Sequence, residues 1–342
     1  MTYKECIEYF YSQLPMFQRS GAAAMKANLD NIRLLSKELD HPETKFHSIH
    51  VAGTNGKGSS SHLLASIVQS GGYKTGLYTS PHIKDFRERI RIDGKPIPKQ
   101  QVVDFVNNIQ PLLDKIKPSF FELTVAMAFD YFAQQEVDLA IIEVGLGGRL
   151  DSTNIIEPII SLITNIEMDH KELLGNTLES IAMEKAGIIK SEVPVIIGEH
   201  QIETDKVFIK RAKECNSKIV FAQDVFEVRN KSNEQALIVD IYQRGRLRWE
   251  ALEIGLSGPY QMLNLPGVFE TVRQLNALDF IINDGNIIEG VKQVVEVTGI
   301  KGRWQTLGHN PSVICDIGHN KAAIEYLVKK LLEIGGVMQS FT

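Results

Sequence analysis

The sequence predicts an α/β fold with a mostly parallel central sheet, and three observations carry the prediction. The runs "VDLAIIEV", "IISLITNI" and "VPVIIGE" are nearly continuous in apolar residues, as expected of parallel strands covered on both faces. Helical patterns alternate with such runs, notably from Thr177 to Ile189 and from Ile202 to Cys215. Finally, "FHSIHVAGTNGKG" reads as a strand that runs into a glycine-rich turn and on into a helix.

Taken in order, Tyr3 to Leu14 and Met25 to Leu39 read as helices. In the second, Leu29, Ile32, Leu35 and Leu39 recur at spacings of three and four and make one apolar face. After the glycine turn, "KGSSSHLLASIVQSGG" is a helix with Leu63, Leu64, Ile67 and Val68 inward, stopped by Gly71 and Gly72. "KTGLYTS" is a second short strand, and "ERIRIDGKPIP" reads as an exposed strand and turn. Helices are expected over Lys99 to Ile116 and Phe121 to Gln135. Beyond Lys218, "QALIVDIYQRGRLRWEALEI" reads as a hairpin turning near "QRG". Helices return from Tyr260 to Ile282 and from Ile287 to Thr298. "TGIKGR" reads as a linker, followed by a strand, a loop and a helix in "PSVICDIGHNKAAIEYLVKKLLEIGG". A strand and one helix cannot bury a core of their own, so this piece is expected to be a fragment of a second domain or an appendage of the first.

Composition narrows the function by exclusion. The chain has 342 residues and a net charge of −5, which gives no reason to expect a nucleic acid or an anionic membrane as partner. Its three cysteines, Cys6, Cys215 and Cys315, are far apart in sequence. That argues against a disulfide framework or a structural zinc and fits a reducing compartment. The opening "MTYKECIEYFYSQL" lacks the basic start and apolar core of a signal peptide, and no apolar run is long enough to span a bilayer. A cytoplasmic location is expected.

The glycine turn is the strongest chemical signal. Glycines at 53, 56 and 58 let backbone N–H groups turn inward around phosphate oxygens. The next helix aims its positive N-terminus at the same place, and Lys57 adds a mobile positive charge. The pattern GxxxxGK[ST] is not met: two residues separate Gly53 from Gly56, and Gly58 follows Lys57. Ligands of open α/β sheets bind beyond the carboxyl ends of the strands. "AIIEVGLGGRLDSTN" puts Glu143 near such an end, "LITNIEMDH" puts Asp169 and His170 beyond another, and "YTSPH" puts Ser80 and His82 beyond a third. A carboxylate, an imidazole and a hydroxyl would thus converge beside the phosphates, although histidine is a less usual ligand than oxygen for magnesium. By themselves, Lys185 in "EKAGIIK" reads as a solvated helix lysine, and Asp316 and His319 in "CDIGHN" as polar loop residues.

In order along the chain, "HVAGTNGKGSS", "TSPH", "FFE", "EVGLGGRLDSTN", "MDH", "EKAGIIK" and "DIGHN" together resemble folylpolyglutamate synthase and the bifunctional dihydrofolate synthase of bacteria, members of the Mur ligase superfamily. The resemblance runs from about His47 to His319. "EVGLGGRLDSTN" and "EKAGIIK" are the specific pieces, whereas "TNGKG" is shared more widely among these ligases. The resemblance implies a P-loop three-layer domain over residues 1–299. It also implies the start of a truncated Rossmann-like C-terminal glutamate-ligase domain over residues 300–342, because family members carry a complete domain there.

The implied reaction is a ligation. ATP phosphorylates a carboxylate of dihydropteroate or a folate, and the acyl phosphate is taken by the amine of L-glutamate. The resemblance further implies that Gly56, Lys57, Gly58 and Ser59 bind ATP phosphates, with Ser59 supplying the hydroxyl one residue late. It assigns magnesium to Ser80, Glu143 and His170, and leaves open a second magnesium and a potassium ion. Lys185 would match the lysine that family members carry as a carbamate. Asn264, Arg303 and Asp316 would meet ATP, with His319 near them. Ser119, Phe121, Glu122 and Asp151 are the expected pterin contacts. The family's "GLxR" pattern is missing around Met25, Lys26 and Ala27, where dihydropteroate would lie. A monomer is expected. Two other readings stand beside this one: a nucleotide-binding module inactive as a ligase because the second domain is cut short, and a cell-wall peptide ligase, which would want Thr in place of Gly58.

Overall fold

A computed structural model describes residues 1–16, 28–232, 236–310 and 312–333. The expected contacts of Met25, Lys26 and Ala27 lie outside the described residues. The centre is an eight-stranded sheet of order β4-β3-β2-β5-β1-β6-β7-β8. The strands are β1 (His47–Ala52), β2 (Thr75–Tyr78), β3 (Ile90–Ile92), β4 (Lys95–Pro96), β5 (Leu139–Glu143), β6 (Ile160–Ile163), β7 (Val195–Ile197) and β8 (Ile219–Phe221). From β2 across to β8 every neighbour is parallel; β3 alone runs against the rest, antiparallel to both β2 and β4.

Helices cover both faces. Within β5 the side chains alternate: Leu139 and Ile141 enter one core, Ala140 and Ile142 the other, the period of two that a pleated strand imposes. The second core is closed by α1 (Tyr3–Gln13), α2 (Asp30–Glu38), α4 (Lys99–Ile116) and α5 (Phe120–Gln134). The first is closed by α3 (Lys57–Ser70) with α9 (Gln261–Asn276) and α10 (Asp284–Lys292). Gly58 through Val68 are all buried, so α3 is wrapped on every side. Small residues make this close approach feasible: a Cβ on Gly290 of α10 would lie 2.5 Å from the Ile67 Cα. A third, smaller core forms where α7 (Leu178–Ala186) and α8 (Ile202–Glu214) meet β6 and β7. The short α6 (Lys171–Leu174) precedes α7.

The expected hairpin is present as β10 (Leu237–Gln243) and β11 (Arg246–Ile254), with β9 (Phe226–Asn230) added in a three-stranded sheet. Neither β8 nor β9 was expected from the sequence; both are short, and pairing with a neighbouring strand, β7 and β10 respectively, defines them. "ERIRI" is not exposed. Ile90, Arg91 and Ile92 are buried, because β3 pairs with the edge of β2 beneath α4. The helix expected over Tyr260 to Ile282 stops at Asn276, and the next splits into α10 and α11 (Val294–Thr298). The C-terminal piece holds a separate antiparallel pair, β12 (Gln305–His309) and β13 (Ser312–Cys315), followed by α12 (Lys321–Glu333). Among the described residues no helix is long and apolar enough to cross a membrane.

Candidate active site

The carboxyl ends of β1, β2, β5, β6 and β7 open on one cavity of about 490 Å³, lined among others by Lys57, Ser80, Glu143, His170, Lys185 and Arg303. The sheet order explains the convergence. β1 lies between β5 and β6, so the loops after these three strands are neighbours although they are far apart in sequence.

The glycine turn is built for close approach. Gly56 caps α3 with φ +81°, a left-handed conformation that favours glycine, and a Cβ there would meet Asn264 Oδ1 at 2.0 Å. A Cβ on Gly58 would sit 2.8 Å from Arg303 Nη2 and 3.6 and 3.8 Å from the two Glu143 carboxylate oxygens. The glycine after the lysine is therefore the residue that admits an arginine from the C-terminal piece. The hydroxyl of Ser59 is buried and accepts from Gln261 Nε2 at 3.1 Å, and Gln261 Oε1 in turn accepts from Asn264 Nδ2 at 2.8 Å.

The turn is braced from β6: Thr54 N–H donates to the Asn165 carbonyl at 2.9 Å, and Asn55 N–H to Asn165 Oδ1 at 2.9 Å. It is also tied to the C-terminal piece, where Asn320 Nδ2 donates to Asn55 Oδ1 at 2.8 Å. Lys57 folds back, its Nζ donating to the carbonyls of Gly53 and Thr54 at 3.0 Å each. Burial lowers its ammonium below the ordinary lysine range, and the charges of Glu143 and Asp169 work against that.

Glu143 is 3% exposed at the end of β5, and its Oε2 accepts from Ser80 N–H at 3.0 Å. Burial raises its carboxyl, with Lys57, the Ser80 N–H, Arg303 and Arg89 acting the other way. A buried carboxylate facing a phosphate-binding turn is the hard oxygen donor that magnesium takes, so the residues present fit that ion. His170 lines the same cavity. Its Nε2 is 3.7 Å from Asp169 Oδ2, and His319 Nε2 is 3.9 Å from the same oxygen. The three ligand atoms lie within 4.8 Å of one another.

Lys185 is not the solvated lysine its segment suggests. It is buried, and its Nζ donates to the Gly53 carbonyl at 2.8 Å. Desolvation and the nearby Lys57 charge bring its ammonium down to about 7, against the pull of Asp169 and Asp151. Asp316 accepts from the Tyr260 hydroxyl at 2.5 Å and from Trp304 N–H at 2.7 Å through one oxygen, and from Gly318 N–H at 2.8 Å through the other.

The expected pterin contacts line the same cavity, and each has an internal partner. Ser119 and Glu122 form a capping box at the start of α5: Glu122 N–H donates to Ser119 Oγ at 3.2 Å, and Ser119 N–H to Glu122 Oε2 at 2.6 Å. The spacing "SFFE" carries that signal in the sequence. Phe121 lies against Gly145, whose added Cβ would meet the ring at 2.3 Å. Asp151 accepts from Leu146 N–H, Thr153 N–H and Thr153 Oγ1 at 2.8, 3.0 and 2.5 Å.

The sequence alone does not single out Arg89. It is 4% exposed, lines the cavity beside Phe120 and forms no ion pair among the described residues. Its guanidinium carbon lies 5.1 Å from the Phe120 ring centroid, and its Nε donates to His82 Nδ1 at 2.7 Å. Arg89 ends the short turn Phe86–Arg89 just before β3.

The comparisons agree with this geometry. Residues 51–271 match the Mur ligase middle domain. The dihydrofolate synthase/folylpolyglutamate synthase of Bacillus subtilis is 34% identical over 315 residues, covering 90% of this chain and 72% of that protein. The folylpolyglutamate synthase of Lacticaseibacillus casei is 32% identical over 348 residues, covering 98% and 77%. Among solved structures, an FPGS–AMPPCP–folate complex superimposes with a TM-score of 0.88 at 31% identity, covering 98% of this chain and 81% of that one. The chain therefore belongs to the dihydrofolate synthase/folylpolyglutamate synthase family and has the Mur ligase type of α/β fold.

Proposed function

We propose that the chain is an ATP- and magnesium-dependent ligase that joins L-glutamate to the carboxylate of dihydropteroate or a folate. One arrangement carries the reading: the glycine turn, Lys57, Arg303 and buried Glu143 meet the Phe121-lined side of one cavity. The family membership and the similarity to a complex with an ATP analogue and folate support it.

A triphosphate and a carboxylate repel each other, so the site must first neutralise charge. Lys57, Arg303 and the N–H groups at the start of α3 hold the terminal phosphates in that role. Asn264 and Asp316 sit where the nucleotide would extend. The substrate carboxylate attacks the terminal phosphorus and ADP leaves. The amine of glutamate then attacks the acyl carbonyl, phosphate departs, and an amide remains. Positioning and electrostatics do most of this work. Magnesium, held by Glu143 with Ser80 and His170, would spread the phosphate charge in the transition state.

Lys185, half neutral near pH 7, is suited to add carbon dioxide and become an anionic carbamate beside Asp169 and His170. Phe121, with Ser119, Glu122 and Asp151 fixing the walls, would receive the pterin. His319 faces Asp169 from the C-terminal piece. Residues 1–299 are the ATP-binding domain in this proposal, and 300–342 belong to the glutamate-ligase domain. A second magnesium ion, a potassium ion, a monomeric state and a cytoplasmic location complete it.

The test is direct. The purified chain is given Mg-ATP, L-glutamate and either pterin substrate, and ADP and the amide product are measured. Formation of both is expected, and no ADP with either substrate sinks the proposal. Glu143→Gln should lower kcat on the order of 100-fold or more without unfolding the protein.

A further inference from the structure

His50 is the first residue of "HVAGT" and lies in the middle of β1, fully buried. It is not among the residues that line the cavity. Its Nε2 is 2.9 Å from Thr153 Oγ1, and Thr153 Oγ1 is 2.5 Å from Asp151 Oδ1. Its Nδ1 is buried with no hydrogen-bond partner among the described residues.

These three facts fix the protons. Burial raises the Asp151 carboxyl, and the donors Thr153 and the N–H groups of Leu146 and Gly145 act against that; with N–H donors on both oxygens it is set up as an acceptor. The single hydroxyl proton of Thr153 therefore goes to Asp151. Thr153 Oγ1 is left as an acceptor, and His50 supplies the proton from Nε2. Nδ1 then carries a lone pair. An orphaned acceptor in the core is cheaper than an orphaned N–H donor. Burial also pushes the imidazole down to about 3, with Lys190 adding to the effect, which leaves it neutral at any working pH.

The far end of the relay is the loop after β5. Asp151 holds Leu146 N–H, and the loop from Gly145 to Arg149 packs on Phe121 and on the end of α7 that carries Lys185. Gly145 follows closely on Glu143 and packs on Phe121. Gly148 would place a Cβ 3.1 Å from the Lys185 Cα, and Arg149 N–H donates to the Glu184 carbonyl at 2.8 Å. The charged and titratable groups facing Asp151 are Lys57, Lys185 and Tyr78.

We infer that His50 is a positioning residue of the ligase: its Nε2–H holds the Thr153 hydroxyl on Asp151 and so fixes the loop that follows Glu143 and packs on Phe121 and Lys185. The inference rests on the proposed ligase function.

The test uses Thr153→Val, which keeps volume and removes the hydroxyl, together with His50→Leu and His50→Gln. The expected result is a kcat about tenfold or more lower in Thr153→Val and His50→Leu, with KM for ATP unchanged within about threefold. His50→Gln, whose amide can still donate, should recover part of the loss. Unchanged kcat in Thr153→Val, assayed well below its unfolding temperature, overturns the inference.

A second readout needs no turnover. Imidazole nitrogen NMR of the wild-type protein should show the Nε2–H tautomer of His50 unchanged from about pH 5 to 9. An Nδ1–H tautomer, or titration in that range, overturns the inference even where the variants fail to fold. A wild-type chain without ligase activity counts against the function instead, and leaves the tautomer test standing.

Discussion

Arg303 lies across Gly58, so close that a Cβ on the glycine would sit 2.8 Å from its Nη2. The contact joins the first turn of α3 to the C-terminal piece. It also explains why the residue after the P-loop lysine is neither Ser nor Thr: the space its side chain would fill is taken by a guanidinium.

Gly58→Ala should therefore separate stability from activity. Position 58 is helical, and alanine favours a helix over glycine by about 1 kcal/mol. The clash is with the far end of a flexible side chain, so the unfolding temperature should hold or rise. The displaced Arg303 should cost kcat/KM for ATP about tenfold, roughly 1.4 kcal/mol of transition-state stabilisation. Calorimetry and steady-state kinetics on one preparation check both halves. Full activity would detach Arg303 from the nucleotide.

Lys185 should make activity depend on pH and on dissolved carbon dioxide. Its ammonium titrates at about 7 because burial and Lys57 disfavour the charge. Carbon dioxide adds only to the neutral amine, so carbamate should increase as pH rises through that value. In bicarbonate-equilibrated buffer kcat should climb from about pH 6 to 8, and rigorous removal of carbon dioxide should depress it. Lys185→Ala should be nearly inactive and insensitive to bicarbonate. A wild-type rate indifferent to carbon dioxide would remove the carbamate from the mechanism.

His200 offers a prediction outside the site. Its Nδ1 lies 2.8 Å from Asp205 Oδ2 and its Nε2 3.0 Å from Asp224 Oδ1, while its ring stacks on Phe221 at 4.2 Å. The bond to Asp205, opposed by burial and joined by Asp224, raises the imidazole above its ordinary range. A raised folded value means stability fully present below the unfolded pKa of about 6.5 and lost as pH rises through the folded one. Screening at this partly exposed position keeps the effect under about 1 kcal/mol. His200→Gln should lower the unfolding temperature near pH 6 and leave it nearly unchanged near pH 9. Equal effects at the two values would refute the coupling.

The fold was legible because its signals are local. Buried parallel strands announce themselves as apolar runs, and the glycine turn between β1 and α3 carries its geometry in its own residues. Glu143, His170 and Ser80 could be placed at strand ends by that reasoning alone. The strands at 219–221 and 226–230 could not, being too short to carry a period. Arg89 was hidden for a related reason: "ERIRI" alternates like a half-exposed strand, but α4 covers it.

What the sequence determined by itself is the chemistry available: a phosphate-binding turn, carboxylates and imidazoles at strand ends, and the ordered motifs of a ligase family. What only the tertiary structure decided is which groups meet and in what state. Lys185 became a buried amine against the Gly53 carbonyl, Arg303 came to rest on Gly58, and Thr153 came between His50 and Asp151. His50 and Thr153 are 103 positions apart along the chain. Strand order in the sheet closes that distance, and burial, which no local pattern encodes, then sets the charge each group carries.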